Sequence, residues 1–87
     1  MTPGHLRFLV AEDHAFQRGA LVSMLRNLGA KQVHEAEDGH AALAVILDPS
    51  RPVDIVISDL DMPGMDGMEF IRRVGEAEVR VSIIVAS

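Results

Sequence analysis

Short apolar runs alternate with helix-like segments along this 87-residue chain. Four runs, at residues 6–11, 32–36, 53–58 and 81–87, have the length of strands, and the run at 32–36 alternates apolar and polar side chains like an edge strand. Parallel strands need a long crossover connection, and a helix usually supplies it. The alternation therefore predicts an α/β fold, in which a parallel sheet is covered by helices on both faces.

Each of the three helical segments is followed by residues that end helices. Gly29 follows the first, Asp48 and Pro49 follow the second, and the third is expected to end near Gly75. We expect the apolar residues of the first and third helices to face the sheet. These are Leu21, Met24, Leu25 and Leu28 in the first helix, and Met68, Phe70, Ile71 and Val74 in the third.

Composition limits the kinds of function that the chain can have. Its 48% apolar content supports one domain over residues 1–87, with an aliphatic core because aromatic residues make up only 3%. The formal charge of −5 argues against direct binding to nucleic acid or to acidic membranes. Cysteine is absent, which excludes disulfides and thiolate metal sites. No apolar run is long enough to span a bilayer, so the expected location is the cytoplasm.

Acidic side chains follow two of the predicted strands. Glu12 and Asp13 come directly after the first strand, Asp59 follows the third, and Ser87 ends the fourth. The carboxyl ends of parallel strands lie along one edge of the sheet, which is where open α/β sheets bind ligands. We therefore expect three carboxylates to share one pocket, with a hydroxyl group on its far side.

Carboxylates this close repel one another unless a cation lies between them. Oxygen ligands without thiolates favour Mg²⁺ or Mn²⁺, and an aspartate beside such a metal could attack phosphorus to form an acyl phosphate. Simpler interpretations exist for single residues: Asp13 could instead cap the first helix, and Asp66 could belong to a turn. His14 follows the acid pair and could reach the pocket, but the four histidines lack the spacing of a zinc site and are interpreted as surface residues.

Three segments together resemble the receiver domain of two-component response regulators. They are FLVAEDH at residues 8–14, DIVISDLDMPGMDG at 54–67 and VSIIVAS at 81–87. The resemblance extends from about residue 6 to residue 87. It implies a three-layer, flavodoxin-like open parallel sheet with strand order 2-1-3-4, in a bacterial signalling protein that acts as a phosphoacceptor rather than as an enzyme.

The resemblance also implies a role for each site residue. Asp59 would accept a phosphoryl group from a sensor histidine kinase or a histidine phosphotransfer protein. Glu12 and Asp13 would hold Mg²⁺, directly or through water, together with the Asp59 carboxylate and the backbone carbonyl of Asp61. Ser87 would contact the phosphoryl group and act as a switch that controls an output domain of the parent protein.

The sequence departs from the family pattern after the fourth strand. A complete receiver has a fifth strand followed by a lysine that pairs with the phosphoryl group, and Lys31, the sole lysine here, follows the first helix. The chain is therefore interpreted as a receiver fragment, whose fourth strand would form an exposed aliphatic edge. We expect this edge to pair with a second copy, as a dimer or by exchange of elements.

Two other functions and one finer assignment remain open from the sequence. The spacing of Asp59 and Asp61 also resembles the DxD motif of haloacid-dehalogenase-type Mg²⁺-dependent phosphatases, although that motif leaves the Glu12–Asp13 pair unexplained. A binding module that is never phosphorylated is the second alternative. The stretch EDHAFQR at residues 12–18 resembles receivers attached to EAL domains, which would make the output domain a cyclic-di-GMP phosphodiesterase.

Overall fold

The computed structural model describes residues 5–58 and 67–85, which form a four-stranded sheet and three helices. Every strand pairing is parallel, and the strand order is β2-β1-β3-β4. The predicted fold class and the predicted strand order 2-1-3-4 are both confirmed. The elements are β1 (Arg7–Ala11), α1 (Ala15–Asn27), β2 (Gln32–Ala36), α2 (Gly39–Leu47), β3 (Ile55–Ser58), α3 (Gly67–Glu76) and β4 (Ser82–Val85).

Alternate side chains of the central strands supply two separate cores. Leu9 of β1 and Val56 of β3 lie in the core beneath α2 and α3, which we call the α2–α3 core. Phe8 and Val10 of β1 lie in the core beneath α1, which we call the α1 core. Successive residues of a strand point to opposite faces, so a strand buried on both sides reads as a continuous apolar run. The sheet is thus the middle of three layers.

The parallel strands end at a common level. Ala11 of β1 pairs with Ala36 of β2 and with Ser58 of β3, and Ser58 pairs with Val85 of β4. Glu12 extends this ladder by one step, because its backbone N–H donates to the carbonyl of Ala36 at 3.0 Å. The register therefore brings the four strand ends to one edge of the sheet.

Four helical residues that were predicted to face the sheet are exposed, and two of them are methionines. Met24 in α1 is 50% exposed and Met68 in α3 is 72% exposed, so their assignment to the core is wrong. In α1 the buried residues are Val22 and Leu25, spaced by three. A short helix that lies alone on its face of a small sheet contacts that sheet through a narrow stripe, which leaves side chains at the margins in solvent.

Leu28, also predicted to face the sheet, is exposed at the end of α1, and Ile71 is exposed on α3. Phe70 and Val74 of α3, spaced by four, are both buried in the α2–α3 core. The prediction is therefore correct for the central residues of each apolar face, but it included neighbouring residues that are exposed.

The helix ends follow the local sequence. Gly29 has a φ of 105°, a left-handed conformation that glycine adopts without steric cost, and it ends α1 as predicted. The Asp38 carboxylate accepts a hydrogen bond from the backbone N–H of Ala41 at 2.7 Å and so caps α2. At its other end α2 stops before Asp48, whose extended backbone precedes Pro49.

An ion pair fastens the strands at the edge opposite the predicted site. Arg7 donates to Asp54 through its backbone N–H at 2.8 Å, through Nε at 2.9 Å and through Nη2 at 3.0 Å. The backbone of Asp54 accepts from the N–H of Ser82 at 2.9 Å. The Arg7 hydrogen bonds lower the pKa of the Asp54 carboxyl below its usual value. One short segment thus joins β1, β3 and β4 at this end.

The outer strand β4 is incompletely covered. Ile84 and Val85 both expose large parts of their side chains to solvent, whereas Ile83 packs against the α2–α3 core. None of the helices among residues 5–58 and 67–85 is long and apolar enough to cross a membrane.

Candidate functional site

The candidate site begins where β1 gives way to α1. Glu12 is only 4% exposed, which is unusual for a carboxylate and requires polar partners. Its Oε2 accepts a hydrogen bond from the backbone N–H of His14 at 2.9 Å. Its backbone carbonyl accepts a hydrogen bond from Nη1 of Arg18 at 2.8 Å. Glu12 is thus held at both its side chain and its main chain.

The next two side chains complete a compact cluster at the same strand end. Nδ1 of His14 lies 3.2 Å from Oδ1 of Asp13 and 3.4 Å from Oε2 of Glu12. One ligand atom from each of the three residues lies within 4.8 Å of the other two. The His14 side chain is 67% exposed, so the cluster opens to solvent on that side. We call these three residues the strand-end cluster.

Asp13 has a different role from the alternative considered from the sequence. The residue that caps α1 is His14, whose side chain makes no capping hydrogen bond, so the interpretation of Asp13 as the helix cap is wrong. The pKa of the Asp13 carboxyl lies below its usual value, chiefly because of a hydrogen bond with the Glu12 carboxyl, with a smaller contribution from the charge of His14. Asp13 therefore supplies carboxyl oxygens beside a second carboxyl group at the end of β1.

Arg18 is a supporting residue that the sequence analysis missed. Besides holding the Glu12 carbonyl, its Nε lies 3.4 Å from Oε1 of Glu35 at the end of β2. Its own backbone N–H bonds the carbonyl of His14 at 2.8 Å, in the first turn of α1. Spacing along the chain could have identified Arg18. It lies four positions after His14, so the two residues share one face of the helix, near the end of β1.

Three predicted site residues, Asp59, Asp61 and Ser87, lie outside the described residues. The described strands lead towards two of them in the sequence. Ser58, which precedes Asp59, is 2% exposed and ends β3 in register with the last residue of β1. The acid pair after β1 is thus positioned by the same rung of the sheet that ends β3.

The donor set of the strand-end cluster fits a hard divalent cation. Two carboxylates at one strand end supply oxygen ligands and negative charge, which Mg²⁺ and Mn²⁺ prefer. The buried Glu12 is held by hydrogen bonds, so little reorganisation would be needed when a cation binds. A structural zinc site would need four closely spaced nitrogen or sulfur ligands, and the cluster contains a single imidazole.

Comparison with known proteins identifies relatives of this chain. The family model described as the response regulator receiver domain matches residues 8–87. The cyclic di-GMP phosphodiesterase RocR of Pseudomonas aeruginosa is 42% identical over 82 residues, which cover 94% of this chain and 21% of RocR. The two-component response regulator ORR41 of Oryza sativa is 35% identical over 83 residues, which cover 94% of this chain and 65% of that protein.

A solved structure agrees with the fold. The receiver domain of the histidine kinase CKI1 from Arabidopsis thaliana, in complex with Mg²⁺, superposes with a TM-score of 0.84 at 28% identity. The match covers 94% of this chain and 67% of that one. Among the relatives named above, the present chain spans about a fifth of the length of RocR and about two thirds of the length of ORR41.

Proposed function

This chain belongs to the family of response regulator receiver domains of two-component signalling, and we propose that it receives a phosphoryl group on Asp59. The observation that carries the proposal is the acid pair after β1, in which Glu12 is buried and Asp13 is partly exposed. Glu12 and Asp13 follow the strand that pairs in register with β3, and Asp59 is the next residue after β3 in the sequence. A nucleophilic carboxylate at this edge would adjoin the oxygen donors that a phosphoryl-transfer site needs.

The metal site would use Glu12 and Asp13 together with the Asp59 carboxylate and the backbone carbonyl of Asp61. A bound Mg²⁺ or Mn²⁺ would neutralise the negative charge of the phosphoryl oxygens. The bond from Arg18 to the Glu12 carbonyl supports this assignment, because it fixes the backbone of the acid pair. Positioning of this kind is the main contribution of a protein to phosphoryl transfer.

In the transfer step, a carboxylate oxygen of Asp59 forms a bond to phosphorus. The bond between phosphorus and the imidazole nitrogen of the donor phosphohistidine breaks, and its electron pair returns to that imidazole. The donor would be a sensor histidine kinase or a histidine phosphotransfer protein. The Ser87 hydroxyl would donate a hydrogen bond to a phosphoryl oxygen and so report the new charge to the surface.

The output of the whole protein is proposed from the relative RocR. A cyclic di-GMP phosphodiesterase that is 42% identical over 82 residues agrees with the resemblance of residues 12–18 to receivers of EAL proteins. We therefore infer that phosphorylation of this domain controls an EAL-type output domain in a bacterial parent protein, in the cytoplasm. Sequencing the gene on the 3′ side of the codon for Ser87 tests this; a coding region for a DNA-binding output domain would refute it.

Exposed apolar side chains on β4 support the expected self-association. Ile84 and Val85 are exposed on β4, which is the outer strand of the sheet among the described residues and could pair along its edge with a second β4. We propose a dimer or an exchange of elements through this strand. Sedimentation equilibrium of the chain and of an Ile84→Lys variant tests it: the wild type should associate more strongly, and a wild type that stays monomeric across the concentration range would refute it.

The phosphoacceptor role is tested with a small phosphodonor such as acetyl phosphate. With Mg²⁺, intact-mass spectrometry should detect one added phosphoryl group on the wild-type chain and none on Asp59→Asn. Chelation of the metal should abolish the addition. Equal labelling of Asp59→Asn would refute the assignment, and an unmodified wild type would favour the binding-module alternative.

The comparisons give no support to the phosphatase alternative. The same reaction distinguishes it, because a phosphatase would release inorganic phosphate from a generic phosphomonoester over many turnovers. A receiver acquires a single phosphoryl group per chain.

A further inference from the structure

We propose that His14 is an additional metal ligand, and that its imidazole makes the site prefer Mn²⁺ and Co²⁺ to Mg²⁺. This inference rests on the proposed metal site at Glu12 and Asp13. Spacing along the chain assigned His14 no role, since the four histidines lack zinc-site spacing. The structure places its ring nitrogen beside both acids.

The distances match the edges of an octahedron. For metal–ligand bonds of about 2.1 Å, neighbouring ligand atoms lie about 3.0 Å apart. Nδ1 of His14 lies 3.2 Å from Oδ1 of Asp13 and 3.4 Å from Oε2 of Glu12. Both distances from the imidazole nitrogen are therefore within a few tenths of an ångström of an octahedral edge, and one oxygen of each acid lies within 4.8 Å of the other.

The backbone holds the ring in this place. The N–H of His14 donates to Oε2 of Glu12 at 2.9 Å, and its carbonyl accepts from the N–H of Arg18 at 2.8 Å in the first turn of α1. Because both backbone groups of His14 are bonded, the Cα position is fixed relative to the acid pair. Rotation about the side-chain bonds is then the remaining freedom of the imidazole.

The open side of the cluster suits a ligand that replaces water. His14 is 67% exposed, whereas Glu12 is buried. Mg²⁺ usually keeps several of its waters because it dehydrates reluctantly, so it gains little from a nitrogen donor at the solvent side. Mn²⁺ and Co²⁺ exchange water for imidazole more favourably, and Co²⁺ lies above Mn²⁺ in the general affinity order of divalent metals.

A simpler role for His14 is a charged or neutral imidazole that hydrogen-bonds to the two carboxylates without touching a metal. This role would move the affinities for all divalent cations together, because it changes only the charge and position of the acids. A ligand role would move the transition metals selectively. The two roles therefore differ in their effect on the ratio of the Mn²⁺ or Co²⁺ affinity to the Mg²⁺ affinity: only a ligand role changes that ratio.

The experiment measures binding of Mg²⁺, Mn²⁺ and Co²⁺ to the 87-residue chain by calorimetry at a fixed, mildly alkaline pH, where imidazoles are mostly neutral. His14→Gln should weaken Mn²⁺ and Co²⁺ binding by about tenfold, as loss of a metal-site partner typically does, and change Mg²⁺ binding by less than about threefold. Electron spin echo modulation of bound Mn²⁺ should detect a coordinated nitrogen in the wild type and lose it in His14→Gln.

His5→Gln is the matched control, because it removes an exposed histidine at the other end of β1. This variant should keep both the affinities and the nitrogen signal. His14→Ala serves as a second variant, and circular dichroism verifies that each variant is folded. Equal changes for all three metals, or a nitrogen signal that persists without His14, would overturn the inference.

The outcomes separate this inference from the proposed function. If Mg²⁺ binds and His14→Gln leaves the metal preference unchanged, the metal site stands and the role of His14 fails. If Glu12→Gln and Asp13→Asn leave Mg²⁺ binding intact, the proposed metal site itself fails, and the role of His14 fails with it.

Discussion

Replacement of Phe70 by alanine should remove a large part of the stability of the domain. Phe70 is 1% exposed in the α2–α3 core, where it fastens α3 to the sheet. A buried aromatic side chain removes about 200 Å² from water, worth about 5 kcal/mol at about 25 cal/mol per Å². Alanine retains part of this area, and measured losses for such truncations are about 3–5 kcal/mol. A domain of this size has a total unfolding free energy of about 4–13 kcal/mol.

The chain offers a matched control for this substitution. Phe16 lies in α1 with 89% of its surface exposed. Phe16→Ala therefore removes the same side-chain atoms as Phe70→Ala, but from the protein surface rather than from the core. We expect Phe16→Ala to change the unfolding free energy by less than about 0.5 kcal/mol. A milder variant, Phe70→Leu, keeps most of the volume and should cost about 1.5 kcal/mol, so it stays measurable if Phe70→Ala is unfolded.

Urea titration followed by circular dichroism measures these differences, because the chain has no Trp or Tyr for a fluorescence assay. The wild type and Phe16→Ala should have about the same stability, Phe70→Leu should be less stable, and Phe70→Ala should be the least stable. Equal losses for Phe16→Ala and Phe70→Ala would refute the assignment of α3 packing to Phe70.

Two further predictions concern the backbone and pH. Gly19→Ala should stabilise the chain by about 0.5–1 kcal/mol, because alanine limits the unfolded chain more than glycine does and its Cβ meets nothing within 4 Å in α1. Gly29→Ala should destabilise the chain by about 1 kcal/mol, because the φ of Gly29 is positive. Thermal melting should show shifts of opposite sign for the two variants, and a shared sign would contradict the reasoning. The folded-state pKa of Asp54 is lowered by Arg7, so its stabilising effect is present above the ordinary carboxyl pKa of about 3.9 and is lost as the pH falls through the folded value. Urea midpoints of wild type and Asp54→Asn should therefore converge in acid, and a difference that stays constant down to acid pH would contradict the assignment.

The fold could be predicted from the sequence because its signals are local. Strand β3 is an apolar run with acids after it, Gly29 ends α1 as expected, and Asp38 begins α2. The order of the strands came from the resemblance to receivers, since apolar patterning alone does not specify which strands are neighbours. The bounds of β1 and β3 are shorter than expected by one and two residues, because strand ends depend on pairing partners.

The details of packing and of the site were less predictable. Periodicity suggested that Met24 and Leu28 face the sheet, but burial depends on how far the sheet extends beneath α1, which is a tertiary property. The acid pair was identified from its place after a strand. Spacing along α1 could have indicated Arg18, but the positions of the His14 and Arg18 side chains beside Glu12 depend on the path of the chain between β1 and α1, which hydrogen bonds determine.

Because the strands end at a common level, the chain can lose or gain a residue without displacing the site only outside the strands. Side chains along β3 alternate between the two cores, with Val56 in one and Ile57 against the other. Removal of one residue from the strand would exchange these side chains between faces and draw the carboxyl end of the strand back by about 3.3 Å. The same deletion in the connection at residues 48–52 leaves that alternation intact and spares the buried Val53 and the Asp54 ion pair. Evolution and engineering should therefore be free to vary the connection while they conserve the residue count of the strand.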